Sequence, residues 1–168
     1  MKKILLYSDS PGFGGHEIMS VRMANALAKA NEIHFVFHHK MIAQGLDTGV
    51  RQIRIPMQTK IGPLACLRNL NIPDVIRLRR MIRGIGPDMS IILQPAIDFC
   101  LRGAVASRSL GIKTVSYIPR YSSVAKQDVF MGAAIEWLFG LYARLFHAFI
   151  TIGLAQQRNI NELVRGAV

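Results

Sequence analysis

Acidic residues and cysteines are both scarce in this chain, and each scarcity narrows what it can do. Ten Asp and Glu stand against 21 Lys and Arg in 168 residues, a formal net charge of +11. That balance favours anionic partners: nucleic acid, an acidic membrane surface or phosphorylated small molecules. The two cysteines, Cys66 and Cys100, lack metal-ligand spacing, so no structural zinc is expected and both read as reduced thiols of a cytoplasmic protein. The apolar run that follows Met1-Lys2-Lys3 breaks at Ser8-Asp9-Ser10-Pro11, too early for the core of a signal peptide. Aromatic-basic interleaving of the RNP kind, a KH loop and a helix-turn-helix pattern are all missing, which takes nucleic acid off the list of expected partners. No internal repeat or low-complexity tract appears.

What is present is a chain that is 51% hydrophobic and long enough to bury one full core. Strand-like runs recur at residues 3–8, 33–38, 50–55, 89–93, 113–118 and 148–152. Helical patterns lie between most of them, at 17–30, 73–85, 97–110, 128–147 and 155–164. Alternation of this kind predicts an α/β, Rossmann-like, three-layer domain over residues 1–168 with a mostly parallel sheet. Ligands of such sheets bind beyond the carboxyl ends of the strands, where the strand order reverses.

The first strand runs directly into Gly12-Phe13-Gly14-Gly15-His16-Glu17 and then into the first helical pattern. A glycine-rich turn at a helix start exposes unpaired N–H groups to an anion, although glycines there also serve simply to reverse the chain. The dinucleotide fingerprint G-x-G-x-x-G fails because Glu17 holds the third glycine's place, and no Gly-Lys-Ser/Thr follows to make a P-loop.

Other segments carry charge or apolarity in patterns. In the 73–85 helix, Val75, Leu78, Ile82 and Ile85 share a face while Arg77, Arg79, Arg80 and Arg83 spread over the rest, and Gly84, Gly86 and Pro87 stop it. The basic face is either solvated or in contact with an acidic surface. Residues 56–71 read as a long loop or irregular helix whose Lys60 and Arg68 make it a candidate lid or acceptor-facing edge. The stretch 130–150 is the most apolar, but Glu136 and Arg144 argue against a transmembrane span. It is expected to be a helix buried by neighbours or one lying in a membrane interface, with Arg77, Arg80 and Arg83 attracting anionic lipid.

The order of elements resembles the N-terminal, acceptor-side domain of a GT-B glycosyltransferase of the large family four of retaining, nucleotide-sugar-using enzymes. Gly14-Gly15-His16-Glu17 is similar to that family's Gly-Gly-x-Glu opening, and residues 21–29 to its first helix. Gly86-Pro87-Asp88 is similar to its x-Pro-Asp start of the fourth strand, and residues 149–158 to its sixth strand and following helix. The resemblance implies that Gly14 and Gly15 offer N–H groups to the donor diphosphate and that Glu17 belongs to the helix's first turn. His16 holds the motif's variable position, either as a solvent-facing loop histidine or as a donor to phosphate or acceptor.

Two departures accompany it. The family's histidine after the fifth strand is absent, and Pro119-Arg120-Tyr121 stands there, so Arg120 and Tyr121 are either weak catalytic candidates or parts of an ordinary loop. The donor-binding C-terminal domain is also expected to lie outside this chain. The resemblance therefore implies a glycosyltransferase domain that takes a nucleotide sugar as substrate, needs no cofactor or metal, and sits in the cytoplasm or at the inner membrane face. Two alternatives stay open: a Rossmann-type nucleotide-binding domain of another enzyme, and a non-catalytic module for anions or membranes. For the first, His38-His39-Lys40 stands where an acidic residue would bind a ribose. Assayed alone against a panel of sugar nucleotides, the 168-residue chain is expected to transfer no sugar; turnover would contradict the resemblance's division of labour between two domains.

Overall fold

The computed structural model describes residues 1–57, 60, 69–119, 121 and 132–166. In chain order they form β1 (Lys3–Ser8), α1 (Gly15–Ala28), β2 (Glu32–Phe37), α2 (Met41–Gln44), β3 (Val50–Arg54) and α3 (Ile72–Ile85). Then follow β4 (Met89–Leu93), α4 (Leu101–Arg108), β5 (Lys113–Tyr117), α5 (Gly132–Ala143), β6 (Ala148–Ile150) and α6 (Leu154–Gly166). The strands make one parallel sheet in the order β3-β2-β1-β4-β5-β6. The chain thus leaves β1 toward one edge, crosses back and leaves β4 toward the other. The carboxyl ends of β1 and β4 flank the reversal, where this architecture opens a crevice.

Side chains alternate across the sheet with a period of two, so successive residues of β1 serve opposite layers. Ile4 and Leu6 pack with Val21 and Ala24 of α1 and with Phe35 and Phe37 of β2. Leu5 and Tyr7 pack with Leu78 and Ile82 of α3, Ile92 of β4 and Ala104 of α4. Because both faces are covered, β1 reads as an unbroken apolar run, as expected of a central parallel strand. A third cluster, including Ile97, Leu101, Ile118, Tyr121 and Phe139, joins α5 and α6 to the end of β5.

The departures from the sequence reading have local causes. Helix α4 starts at Leu101 instead of 97, because the Gln94 side chain takes the Ile97 and Phe99 carbonyls at 2.9 and 2.7 Å and Cys100 turns left-handed at φ 60°. Strand β6 ends at Ile150, two residues short, and Gly153 at φ 89° turns the chain into α6. Four-residue α2 is too short to show a helical period. Helix α5 stops at Ala143, not 147, and residues 128–131 of that expected helix lie outside the described residues. Its Phe139 and Gly140 are buried while Trp137 is 57% exposed, so the apolar residues do not all face inward. No helix among the described residues is long and apolar enough to cross a membrane. Of the expected lid, residues 58, 59 and 61–68, with Cys66 and Arg68, lie outside the described residues. Lys60 is held there by Asn69, whose amide bridges both of its backbone polar groups at 2.7 and 3.0 Å.

Among the described glycines the closest fit is at Gly103 in α4, where an added Cβ would stand 2.3 Å from the Tyr7 ring. Gly103→Ala must displace either the helix or a fully buried tyrosine, and is expected to cost about 1–3 kcal/mol or more in urea unfolding. An unchanged midpoint would show that α4 does not seat against β1 as described.

Candidate functional site

The crevice between β1 and β4 is built first by buried charge. Asp9, the residue after β1, is fully buried, and it accepts the Tyr7 hydroxyl at 2.8 Å and Arg102 Nε at 3.0 Å. Arg102 Nη2 lies 2.9 Å from the same carboxylate oxygen, while its Nη1 donates to Asp74 at 2.9 Å in the first turn of α3. Burial by itself lowers the Arg102 pKa, but the Asp9 carboxylate and the hydrogen bond and charge of Asp74 act against this, and the net direction is upward. Burial, then the Asp9 carboxylate, pushes both the Tyr7 phenol and the Cys100 thiol well above their ordinary values, so neither is an ionised nucleophile at neutral pH. The group thus ties the end of β1 to α3 and α4.

On that anchor rests the glycine-rich turn. None of Gly12, Gly14 and Gly15 adopts the left-handed backbone that only glycine favours. A Cβ added at Gly12 or Gly15 would meet nothing within 4 Å, and one at Gly14 only the Glu17 carboxylate at 3.9 Å. Neither backbone conformation nor packing within the chain therefore demands glycine at Gly12 or Gly15. The Gly14 N–H donates to the buried Glu17 carboxylate at 2.8 Å, which fixes the entry to α1. The Gly15 and His16 N–H groups open the helix, where no acceptor exists within the helix itself.

His16 projects from that first turn and stacks on Tyr117 at the end of β5, ring centroids 5.6 Å apart and planes 16° from parallel. Both ring nitrogens are buried, and neither makes a well-formed hydrogen bond among the described residues, although the Leu93 backbone acts on the ring as a weak partner. Burial lowers its pKa against the opposing pulls of Glu17 and of the Leu93 backbone, which favours a neutral ring with one donor and one acceptor nitrogen. Buried polar atoms so poorly satisfied at a helix N-terminus are costly unless something else fills them. On the other side of the turn, Phe13 stacks on His39 beyond β2 at 5.6 Å.

The remaining candidates separate from this group. Arg120 lies outside the described residues. Tyr121 is buried in the third cluster, donating its hydroxyl to Glu136 of α5 at 2.5 Å, and its N–H to Gln156 of α6 at 2.8 Å. Burial, then the Glu136 hydrogen bond, raises its pKa far above the ordinary phenol. Its position is that of a brace between α5, α6 and the β5 loop. Two residues that the sequence reading missed belong to the crevice loops instead. Gln94 accepts the Ser116 hydroxyl at 2.6 Å and shapes the β4–α4 loop. Asp98 in that loop, at the carboxyl ends of the strands, has its pKa raised by burial.

No family model matches the sequence, and no curated protein matches it. Solved structures do. HepE from Anabaena in complex with UDP and glucose aligns with a TM-score of 0.67 at 15% identity, covering 97% of this chain and 41% of its own. UDP-GlcNAc 2-epimerase from Methanocaldococcus jannaschii aligns at 0.61 and 15% identity, covering 100% and 43%. A ugt transferase from Siraitia grosvenorii in complex with UDP aligns at 0.55 and 10% identity, covering 98% and 42%. At such identities the likeness shows the fold alone: a Rossmann-like α/β domain matching one domain of GT-B structures. The chain spans less than half the length of each of these neighbours.

The His16 pKa gives a signed test. The unfolded ring takes up its proton near ~6.5, whereas the buried ring holds off until lower pH, so the unfolded chain binds more protons in between. Stability supplied by neutral His16 is complete above that value and lost as pH falls below it. Between pH 7 and pH 5, wild type is expected to lose stability that His16→Phe, which keeps the stacking, does not lose. An NMR midpoint for His16 at or above the free-histidine value would contradict a buried neutral ring.

Proposed function

We propose that the crevice beyond β1 and β4 holds the diphosphate of a nucleotide sugar and that the chain is the acceptor-side domain of a retaining glycosyltransferase. The carrying observation is the turn itself: at Gly15 the space of a missing Cβ is open, and beside it His16 presents two buried nitrogens that no described residue fully hydrogen-bonds. Both lie at the N-terminus of α1, whose dipole and unpaired N–H groups favour negative charge. A neutral His16 donates to a phosphate oxygen or acceptor hydroxyl from one nitrogen and accepts at the other. That HepE is seen with UDP-glucose and with UDP supports the ligand class.

In a retaining transfer the acceptor attacks the face from which the leaving group departs, and the departing diphosphate assists in removing the acceptor's proton. The protein then contributes alignment and charge stabilisation, here the role assigned to the glycine turn and His16. No metal or other cofactor is assigned, and the nucleotide sugar is the substrate. A second reading, epimerisation of a UDP-sugar, is favoured by the fit to the 2-epimerase over 100% of this chain.

The test is Gly15→Val in the longest natural form of the protein. The added side chain starts in open space, so unfolding should be unchanged. Affinity for UDP-glucose should fall at least about tenfold, the scale of one or two lost charge-assisted hydrogen bonds. Equal affinity in wild type and variant would remove the turn from the site. Product analysis with and without an acceptor sugar separates transfer from epimerisation.

A further inference from the structure

The opposite end of the sheet carries a second feature that the crevice does not use. Helices α3 and α4 both end at the amino ends of the strands, and between their last turns and the start of β5 lies an open cleft of about 440 Å³. It is lined by Arg79, Arg83 and Ser109 and by the apolar side chains of Ile82, Leu110 and Ile112.

The arginines there have no assigned work within the chain. Neither Arg79 nor Arg83 has a hydrogen bond or ion pair among the described residues. The ordinary use of a cation at a helix C-terminus is to serve the last carbonyls, and here other groups already serve them. Lys3 Nζ donates to the Ile85 carbonyl at 3.1 Å, and the Gly86 N–H takes the Ile82 carbonyl at 2.9 Å. The end of α4 is likewise closed by its own turn, with the Ser109 hydroxyl on the Ala106 carbonyl at 2.8 Å. Nearby charges are committed elsewhere. Asp88 accepts the Lys3 N–H at 2.8 Å, Asp74 holds Arg102 at the far end of α3, and Arg108 bonds His147 at 2.9 Å.

Arginines at i and i+4 on one helix repel each other, and Arg77 and Arg80 add to the same field. Arg79 tolerates this while half buried. An anion seated between two guanidinium forks one turn apart removes the repulsion and uses their planar donor geometry. The apolar lining calls for an apolar body on that anion. We propose that the α3–α4 cleft is a binding site for a phosphomonoester borne on an apolar or aromatic group, separate from the crevice at the other end of the sheet. Free phosphorylated small molecules and phosphate-bearing lipid headgroups share this chemistry.

The test follows backbone amide shifts of the ¹⁵N-labelled 168-residue chain on titration with phenyl phosphate, inorganic phosphate, or phosphatidylcholine vesicles with and without phosphatidic acid, at constant ionic strength. The expected result is saturable shifts at residues 79–86 and 109–112. With phenyl phosphate, affinity should be higher than with inorganic phosphate and should fall at least about tenfold in Arg79→Gln/Arg83→Gln. The charge-matched Arg51→Gln/Arg158→Gln control should bind as wild type does. Shifts seen only with phosphatidic acid vesicles, and lost in the same variant, assign the site to a lipid headgroup. Absence of shifts at these residues with every probe overturns the proposal, as do equal shifts in Arg79→Gln/Arg83→Gln. Shifts confined to residues 14–17 overturn it as well, while leaving the nucleotide-sugar reading of the crevice intact.

Discussion

The buried pair of Asp9 and Arg102 is the constraint on which the rest of the site depends. Two ions at 0% and 5% exposure cost far more to desolvate than a surface pair returns, so the pair contributes little net stability over an apolar substitute. What it contributes is position. Either ion left alone would be a buried uncompensated charge, so the end of β1 cannot move without α4, and Asp74 carries the same restraint to the start of α3. Tyr7 adds a hydroxyl to Asp9 from the strand below and packs its ring where Gly103 leaves room. The glycine turn begins immediately after this clamp. Gly12, Gly14 and Gly15 have no side chains to hold them, so the geometry of their N–H groups is inherited from Asp9 on one side, from the Phe13 stack on His39 and from Glu17's hold on Gly14.

The sheet was legible in the sequence because its strands are short, largely apolar runs set off by breakers, and helical periods follow β1, β4 and β5. All six strands and five of the helices appear where the spacing of Val, Ile and Leu puts them, with ends moved by a few residues. The ends moved where a side chain competes with the backbone, as Gln94 does before α4, or where one residue takes a positive φ, as Cys100 and Gly153 do. Neither effect has a periodic signal.

The site was legible only in part, for a related reason. Gly14, Gly15, His16 and Glu17 are contiguous, and their types announce a turn with unpaired donors. Asp9, Asp74 and Arg102 are far apart in sequence and meet only once the strand order is known. Tyr121 illustrates the converse. It follows the fifth strand as a candidate should, yet its hydroxyl belongs to Glu136, on the polar stripe of a helix read chiefly for its apolarity. The donors and the charge divide as well: the N–H groups of a helix N-terminus and a neutral imidazole lie at the start of α1, while guanidinium groups of α3 without partners among the described residues stand at the other end of the sheet.

The most direct measurement is a crystal structure of the protein with UDP-glucose or UDP bound. The diphosphate is expected at the start of α1, its oxygens within hydrogen-bond distance of the Gly15 N–H and of one His16 ring nitrogen, with Asp9 and Arg102 still paired beneath. A diphosphate seated elsewhere, with His16 unpartnered and the Gly15 N–H facing only water, would contradict the assignment of this turn to the nucleotide sugar.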